Sequence, residues 1–211
     1  MTQTHHLALR EVSIALDDVP LVALDARIGP GEVLTVMGPS GSGKSTLLAY
    51  LAGFLDEAFA ASGQVILDGV AIQGLPAERR GIGLLFQDPL LFPHLSVADN
   101  LRFGLPRHCR DKRARVEAAL AHIGLADFGD RDPATLSGGQ KARVALMRLL
   151  LSEPRAVLLD EPFSKLDTQL RQEMRDWVFA HLREAGLPSL LVTHDHQDAE
   201  AAGGRLIELS V

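Results

Sequence analysis

One eight-residue run constrains this chain more than anything else in it. Gly38-Pro39-Ser40-Gly41-Ser42-Gly43-Lys44-Ser45 stands between the apolar run at 33–37 and a helical pattern predicted over 45–55. It fits the pattern G-x-x-x-x-G-K-[ST], whose glycines let backbone N–H groups turn onto phosphate oxygens. The helix that follows would offer its positive N-terminal end to the same anion. Lys44 would place a point charge on the β- and γ-phosphates, and the Ser45 hydroxyl would ligate Mg²⁺. Gly38, Pro39, Ser40, Gly41, Ser42, Gly43, Lys44, Ser45 and Thr46 are therefore the expected nucleotide-binding residues. A chance match in a chain of this length is roughly 1 in 100, and the strand-loop-helix setting lowers it further.

The surrounding pattern predicts an α/β fold. Strand-like segments at 7–16, 21–28, 33–37, 64–67 and 83–86 come first, with a turn at Gly29-Pro30-Gly31. Helical periodicity fills the stretch from about 89 to 152, where Val116, Leu120 and Ile123 share one face. Strands return at 156–159 and 189–193 around a helix at 169–183, and 206–209 is again strand-like. Strands alternating with helices imply a parallel sheet covered on its faces, with the middle segment as a helical insertion.

At 211 residues the chain suits one domain, or one with a sizeable insertion. A net charge of −6 counts against phosphate neutralisation of nucleic acid, so no nucleic-acid partner is expected. The single cysteine, Cys109, excludes an internal disulfide and fits a reducing compartment. The start Met1-Thr2-Gln3-Thr4-His5-His6 lacks leader features, and no run approaches the ~18 apolar residues of a membrane helix. A soluble chain is expected, reaching a membrane only through a partner.

Leu136-Ser137-Gly138-Gly139-Gln140 precedes the helical run Arg143-Val144-Ala145-Leu146-Met147. Taken alone it is a Ser-capped, Gly-rich helix start and a second possible anion site. Asp160 and Glu161 follow four apolar residues, which would deliver Asp160 to the carboxyl edge of the sheet, where ligands of open α/β sheets bind. His194 stands after Leu190-Leu191-Val192. On its own a histidine there serves structure as readily as chemistry, and Gln87 on its own is a surface amide.

Taken together, these motifs resemble the ATP-binding subunit of ABC transporters, and the resemblance covers nearly the whole chain. Phe86-Gln87-Asp88 is similar to the Q-loop, 136–140 to the signature, and Ala156-Val157-Leu158-Leu159-Asp160-Glu161 to Walker B. Ser164-Lys165-Leu166-Asp167 is similar to the D-loop and Thr193-His194-Asp195 to the switch-histidine segment. The resemblance implies a P-loop NTPase core of RecA-like, mostly parallel sheet, with an antiparallel β subdomain on the N-terminal side and an inserted α-helical subdomain. The expected division is one 1–211 ATPase domain, with the nucleotide-binding core at 1–87 and 153–211 and the helical subdomain at 88–152.

The resemblance also implies roles. ATP with Mg²⁺ is hydrolysed in a head-to-tail homodimer, each nucleotide lying between one phosphate loop and the partner's signature, Leu136, Ser137, Gly138, Gly139 and Gln140. Catalytic roles fall to Glu161 as general base, His194 on the γ-phosphate and Gln87 as sensor of Mg²⁺ and water. Ser45, Gln87 and Asp160 form the metal set, and Asp167 belongs to the D-loop. Two positions depart from the family. Leu16 occupies the place of an adenine-stacking aromatic, which would weaken base affinity by ~1 kcal/mol. Lys165 replaces a small residue; a flexible cation near the dimer seam either pairs with an acidic group or points into solvent, and solvent is the expectation.

The stretch 86–100 is similar to bacterial importer ATPases of the thiamine, iron, sulfate and polyamine group. Asp176-Trp177-Val178-Phe179 and Asp132-Pro133-Ala134-Thr135 resemble the thiamine-like branch. Separate transmembrane permease subunits, an extracytoplasmic solute-binding protein and a cytoplasmic location on the inner membrane face follow as expectations. The chain leaves no room for a C-terminal regulatory domain, so constitutive coupling to the loaded permease is expected. The alternative is a soluble ABC-type ATPase not tied to a transporter.

Overall fold

The computed structural model describes residues 4–209, so the outermost residues of the expected 1–211 domain, including Met1–Gln3 of the leader comparison, lie outside it. Two sheets organise the described residues. The first is antiparallel, with β1 (Leu7–Leu16), β2 (Val19–Ile28), β4 (Phe59–Leu67) and β5 (Val70–Ala71) in the order β2-β1-β4-β5. Asp17 and Asp18 take φ of 48° and 64°, the left-handed pair that a tight two-residue hairpin requires. Along β2, Val22, Leu24, Ala26 and Ile28 are buried while Ala23, Asp25 and Arg27 are exposed, the alternation of a sheet with one wet face.

The second sheet is parallel: β3 (Val33–Met37), β6 (Ile82–Leu85), β7 (Ala156–Asp160), β8 (Ser189–Val192) and β9 (Leu206–Glu208), in the order β6-β7-β8-β3-β9. Its central strands are buried along almost their full length, as a sheet covered on both faces demands. Alternate residues divide between two cores. Leu34, Val36, Leu158, Leu190 and Val192 pack toward the antiparallel sheet and α1 (Lys44–Ala52). Val33, Val157, Leu159 and Leu191 pack toward α4 (Gly138–Leu151) and α5 (Thr168–Glu184).

Between β6 and β7 the chain forms α2 (Val97–Gly104), α3 (Lys112–His122) and α4, which share a third core of Val97, Leu101, Val116, Leu120, Val144 and Met147. Helix α4 enters both this core and the sheet's, through Val144 and Met147 on one side and Leu146 and Leu149 on the other. The α/β class and both sheets agree with the sequence expectation. Helix α1 stops three residues earlier than predicted, because Gly53 adopts φ 97° and turns its N–H back to Ala49 O. The short helix α6 (His196–Ala202) and β5 had no periodic signal long enough to announce them. Among the described residues no helix is long and apolar enough to cross a membrane.

Leu158 is fully buried where β7 meets the first core. Leu158→Ala should cost about 2–5 kcal/mol, the range for a truncated core leucine, measured as a lowered urea midpoint with unchanged slope.

Candidate nucleotide site

The parallel register brings the candidate residues to one edge. Leu85 lies opposite Leu159, and Asp160 opposite Val192. Gln87 and Glu161 therefore each stand two residues beyond a matched pair, and His194 two residues beyond Val192. The phosphate loop leaves β3 at the same end, since Val36 is also matched with Val192.

Helix α1 begins at Lys44 without a side-chain cap, so its first N–H groups face the loop rather than a capping oxygen. Its N-cap, Gly43, has φ 84°, and a Cβ there would come within 2.7 Å of Val22 Cγ2. Only glycine satisfies both demands. Lys44 is buried, its Nζ donating to Gly38 O at 2.7 Å and Pro39 O at 2.8 Å. Pro39, Ser40, Gly41 and Ser45 are exposed, Gly38 and Thr46 half-buried, and the Ser42 hydroxyl is buried without a hydrogen-bond partner.

Burial pushes the Asp160 carboxyl above the usual carboxylate range, the neighbouring Glu161 charge pushes it further, and only Lys44 pulls it back. A divalent cation would supply the positive charge this environment lacks. The oxygen donors of Ser45 and Asp160, beside an uncapped helix N-terminus, fit Mg²⁺ on a phosphate.

Glu161 takes φ 44°, a left-handed conformation unusual for a non-glycine residue and costly unless fixed by its surroundings. Its N–H donates to Val192 O at 2.9 Å, and its carbonyl accepts from the Ser164 N–H and hydroxyl at 3.2 and 2.9 Å. So held, its carboxylate Oε1 lies 3.1 Å from His194 Nδ1, the glutamate side chain 25% and the histidine 64% exposed. Gln87 is exposed, two residues past Leu85 on the same edge.

Behind His194 lies a network that the motifs do not reveal. Arg175 of α5 is 1% exposed, with Nε donating to Asp198 Oδ1 at 2.5 Å and a terminal nitrogen to Asp195 Oδ2 at 2.7 Å. The Thr193 hydroxyl donates to Asp198 Oδ2 at 2.7 Å and accepts from the Asp195 N–H at 3.0 Å. Both chain neighbours of His194 are thereby fixed to α5.

The 136–140 segment is built differently. Leu136 is buried in the helical core, and Ser137 caps α4 in a reciprocal box. Ser137 Oγ accepts from the Gln140 N–H at 3.3 Å, while Gln140 Oε1 accepts from the Ser137 N–H at 2.9 Å. Gly138 is exposed. A Cβ on Gly139 would meet Leu170 Cδ1 at 2.6 Å, so glycine allows α4 to approach α5. Asp167 caps α5, accepting from the Leu170 N–H at 3.0 Å. None of the described hydrogen bonds joins 136–140 to the phosphate loop.

Comparison with known proteins decides the family. The model described as ABC transporter matches residues 21–164. The chain belongs to that family. It is 46% identical over 198 residues to the uncharacterized ABC transporter ATP-binding protein YnjD of Escherichia coli, covering 92% of this chain and 91% of that protein. It is 42% identical over 212 residues to the spermidine/putrescine import ATP-binding protein PotA of Oleidesulfovibrio alaskensis, covering 99% of this chain and 56% of that protein. The corresponding PotA of Frankia alni is 45% identical over 192 residues, covering 89% and 41%. The chain thus spans nearly all of the first relative and about half the length of the two polyamine proteins. It is an ATPase of the ABC family.

One expectation for this ABC ATPase is corrected. Lys165 is not a free cation in solvent: half exposed, its Nζ lies 2.5 Å from Asp88 Oδ1. The lysine stem reaches the loop after β6, and only a carboxylate brought there by the fold, 77 positions away in sequence, reveals the pairing. Arg175 and Asp198 were likewise missed. The available signal was an arginine beside Met174 on the apolar stripe of α5, where a lone charge must find a partner.

Burial would raise the Asp195 carboxyl, but the Gln197 N–H, the Arg175 charge and the Arg171 guanidinium together hold it below its ordinary value. A carboxyl depressed in the folded state stabilises the protein above the unfolded range, near ~3.9, and loses that contribution as pH falls through its lower folded value. Arg175→Leu should cost about 3–5 kcal/mol at neutral pH by leaving Asp198 buried without its cation. It should also flatten the acid limb of stability against pH, both read from urea unfolding at stepped pH.

Proposed function

We propose that this ABC ATPase works as a homodimer around two ATP molecules and powers solute import through separate transmembrane permease subunits. The observation that carries the hydrolytic part is the Glu161–His194 contact of 3.1 Å on the edge where the phosphate loop emerges. In this assignment the amides of 38–46 and Lys44 bind the phosphates. Ser45, Asp160 and Gln87 would hold Mg²⁺, which when bound would neutralise charge on the phosphate oxygens. Glu161 takes a proton from the attacking water, and His194 orients that water against the γ-phosphate. The backbone bonds that fix Glu161 in its left-handed conformation set the point from which the carboxylate projects.

The exposed N-terminus of α4 supports the dimer. Ser137 and Gly138 are exposed at the start of α4, where the capping box leaves the Gly138 and Gly139 N–H groups for an anion, yet none of the described bonds of this segment reaches the phosphate loop of the same chain. A second copy supplies the anion in this arrangement, with Asp167 near the seam. Gln140, engaged in capping, acts by holding Ser137.

Import is supported by the names of the polyamine relatives and by the apolar surface of Phe86, Leu90 and Phe103, respectively 40%, 54% and 67% exposed. We assign 1–87 and 153–211 to the nucleotide-binding core and 88–152 to the part that meets the permease. That arrangement places the protein on the inner face of the cell membrane, with an extracytoplasmic binding protein delivering the solute. The resemblance to the thiamine-like branch rests on 132–135 and 176–179 alone.

Glu161→Gln should retain ATP binding, slow hydrolysis by two or more orders of magnitude and accumulate an ATP-dependent dimer on size exclusion. Wild-type turnover in this variant would remove Glu161 from the base role. Purification from gently solubilised native membranes should recover a stoichiometric multi-span protein. Recovery in the soluble fraction alone would leave the ATPase without a transporter.

A further inference from the structure

We propose that the Lys165–Asp88 ion pair is a positioning device that holds the Gln87 loop against the Glu161 turn. The inference rests on the role given above to Gln87. Strands β6 and β7 are matched up to Leu85 and Leu159, and beyond that point their backbones part. On the β7 side the chain is fixed at once. Glu161 is bonded to Val192, and the turn through Ser164 and Lys165 closes onto Asp167, the cap of α5.

On the β6 side Gln87 is exposed, and the loop is held from its neighbours instead. The Pro89 carbonyl accepts from Arg148 of α4 at 3.2 Å, and the Asp88 carboxylate receives Lys165 at 2.5 Å. Among the described residues, this is the one hydrogen bond joining 86–90 to 161–167. Gln87 is thus suspended between a tie to the helical segment and a tie to the turn that carries Glu161.

Both partners are about half exposed, with side-chain exposures of 50% and 56%. Exposed pairs contribute modestly and are screened by salt. The pair therefore tunes where Gln87 stands rather than deciding whether the protein folds.

The test is steady-state ATPase activity of the full chain. Lys165→Ala and Asp88→Asn should each lower kcat by about three- to fivefold, the scale of a modest surface pair, with KM for ATP and melting temperature unchanged. Added salt should lower wild-type kcat toward that of the variants. The exchange Lys165→Asp with Asp88→Lys should recover most of the loss, because the pair is restored with its polarity reversed. Full kcat in Lys165→Ala, or a loss that the exchange does not repair, would overturn the proposal.

Gln87→Ala separates the two failures. If it slows hydrolysis while Lys165→Ala does not, only the positioning role falls. If Gln87→Ala hydrolyses ATP normally, the role of Gln87 falls and this inference with it. Both outcomes leave the Glu161→Gln result standing by itself.

Discussion

Strands β7 and β8 lie side by side in parallel with Asp160 opposite Val192, and the site depends on that one register. It sends an acidic pair and a histidine off adjacent strands at the same height, and β3 adds the phosphate loop by its own pairing with β8. A slip of one residue would turn Asp160 toward a hydrophobic core and expose a leucine at the edge. The alternate burial of Val157, Leu158 and Leu159 in opposite cores makes such a slip costly. Packing on both faces of the sheet thus fixes the chemistry at its edge.

Electrostatic investment differs sharply across that edge. Asp160 is half-buried beside another carboxylate, a disfavoured arrangement that a bound cation would relieve. Arg175 and Arg171 with Asp195 and Asp198 form the opposite case, two cations with two acids already in place. The first leaves room for a ligand's charge. The second has no charge left to offer and serves as a rigid mount for the segment carrying His194. His194 itself is mostly exposed, so the backbone on either side is fixed while the imidazole keeps access to solvent.

The phosphate loop, the 136–140 run and the acidic pair were legible because each is a contiguous string whose chemistry depends on local backbone geometry. The strands were legible because apolar alternation survives in a single sequence. Periodicity tells which way a side chain faces but not what it meets. That is why Arg175 was invisible as a clamp, Lys165 was expected in solvent, and Gln140 was counted with an anion site although its amide oxygen serves a cap. Helix α6 lacked a signal for the same reason: its bond to α5 comes from Asp198 and Gln197, and seven residues carry little periodicity of their own.

Helix α4 is where these separate constraints meet. Its first turn presents Ser137 and Gly138, its second glycine lets Leu170 press against it, and its later turns fill two cores at once. Near its end Arg148 holds the Pro89 carbonyl of the Gln87 loop. A close-packed helix moves as a body, because its side chains leave no space to absorb displacement locally. The contacts of α4 therefore run to the loop of Gln87 through Arg148, and to the start of α5 through Gly139 and Leu170. Both routes end beside Glu161: one through Asp88 and Lys165, the other through Asp167 and the turn at Ser164.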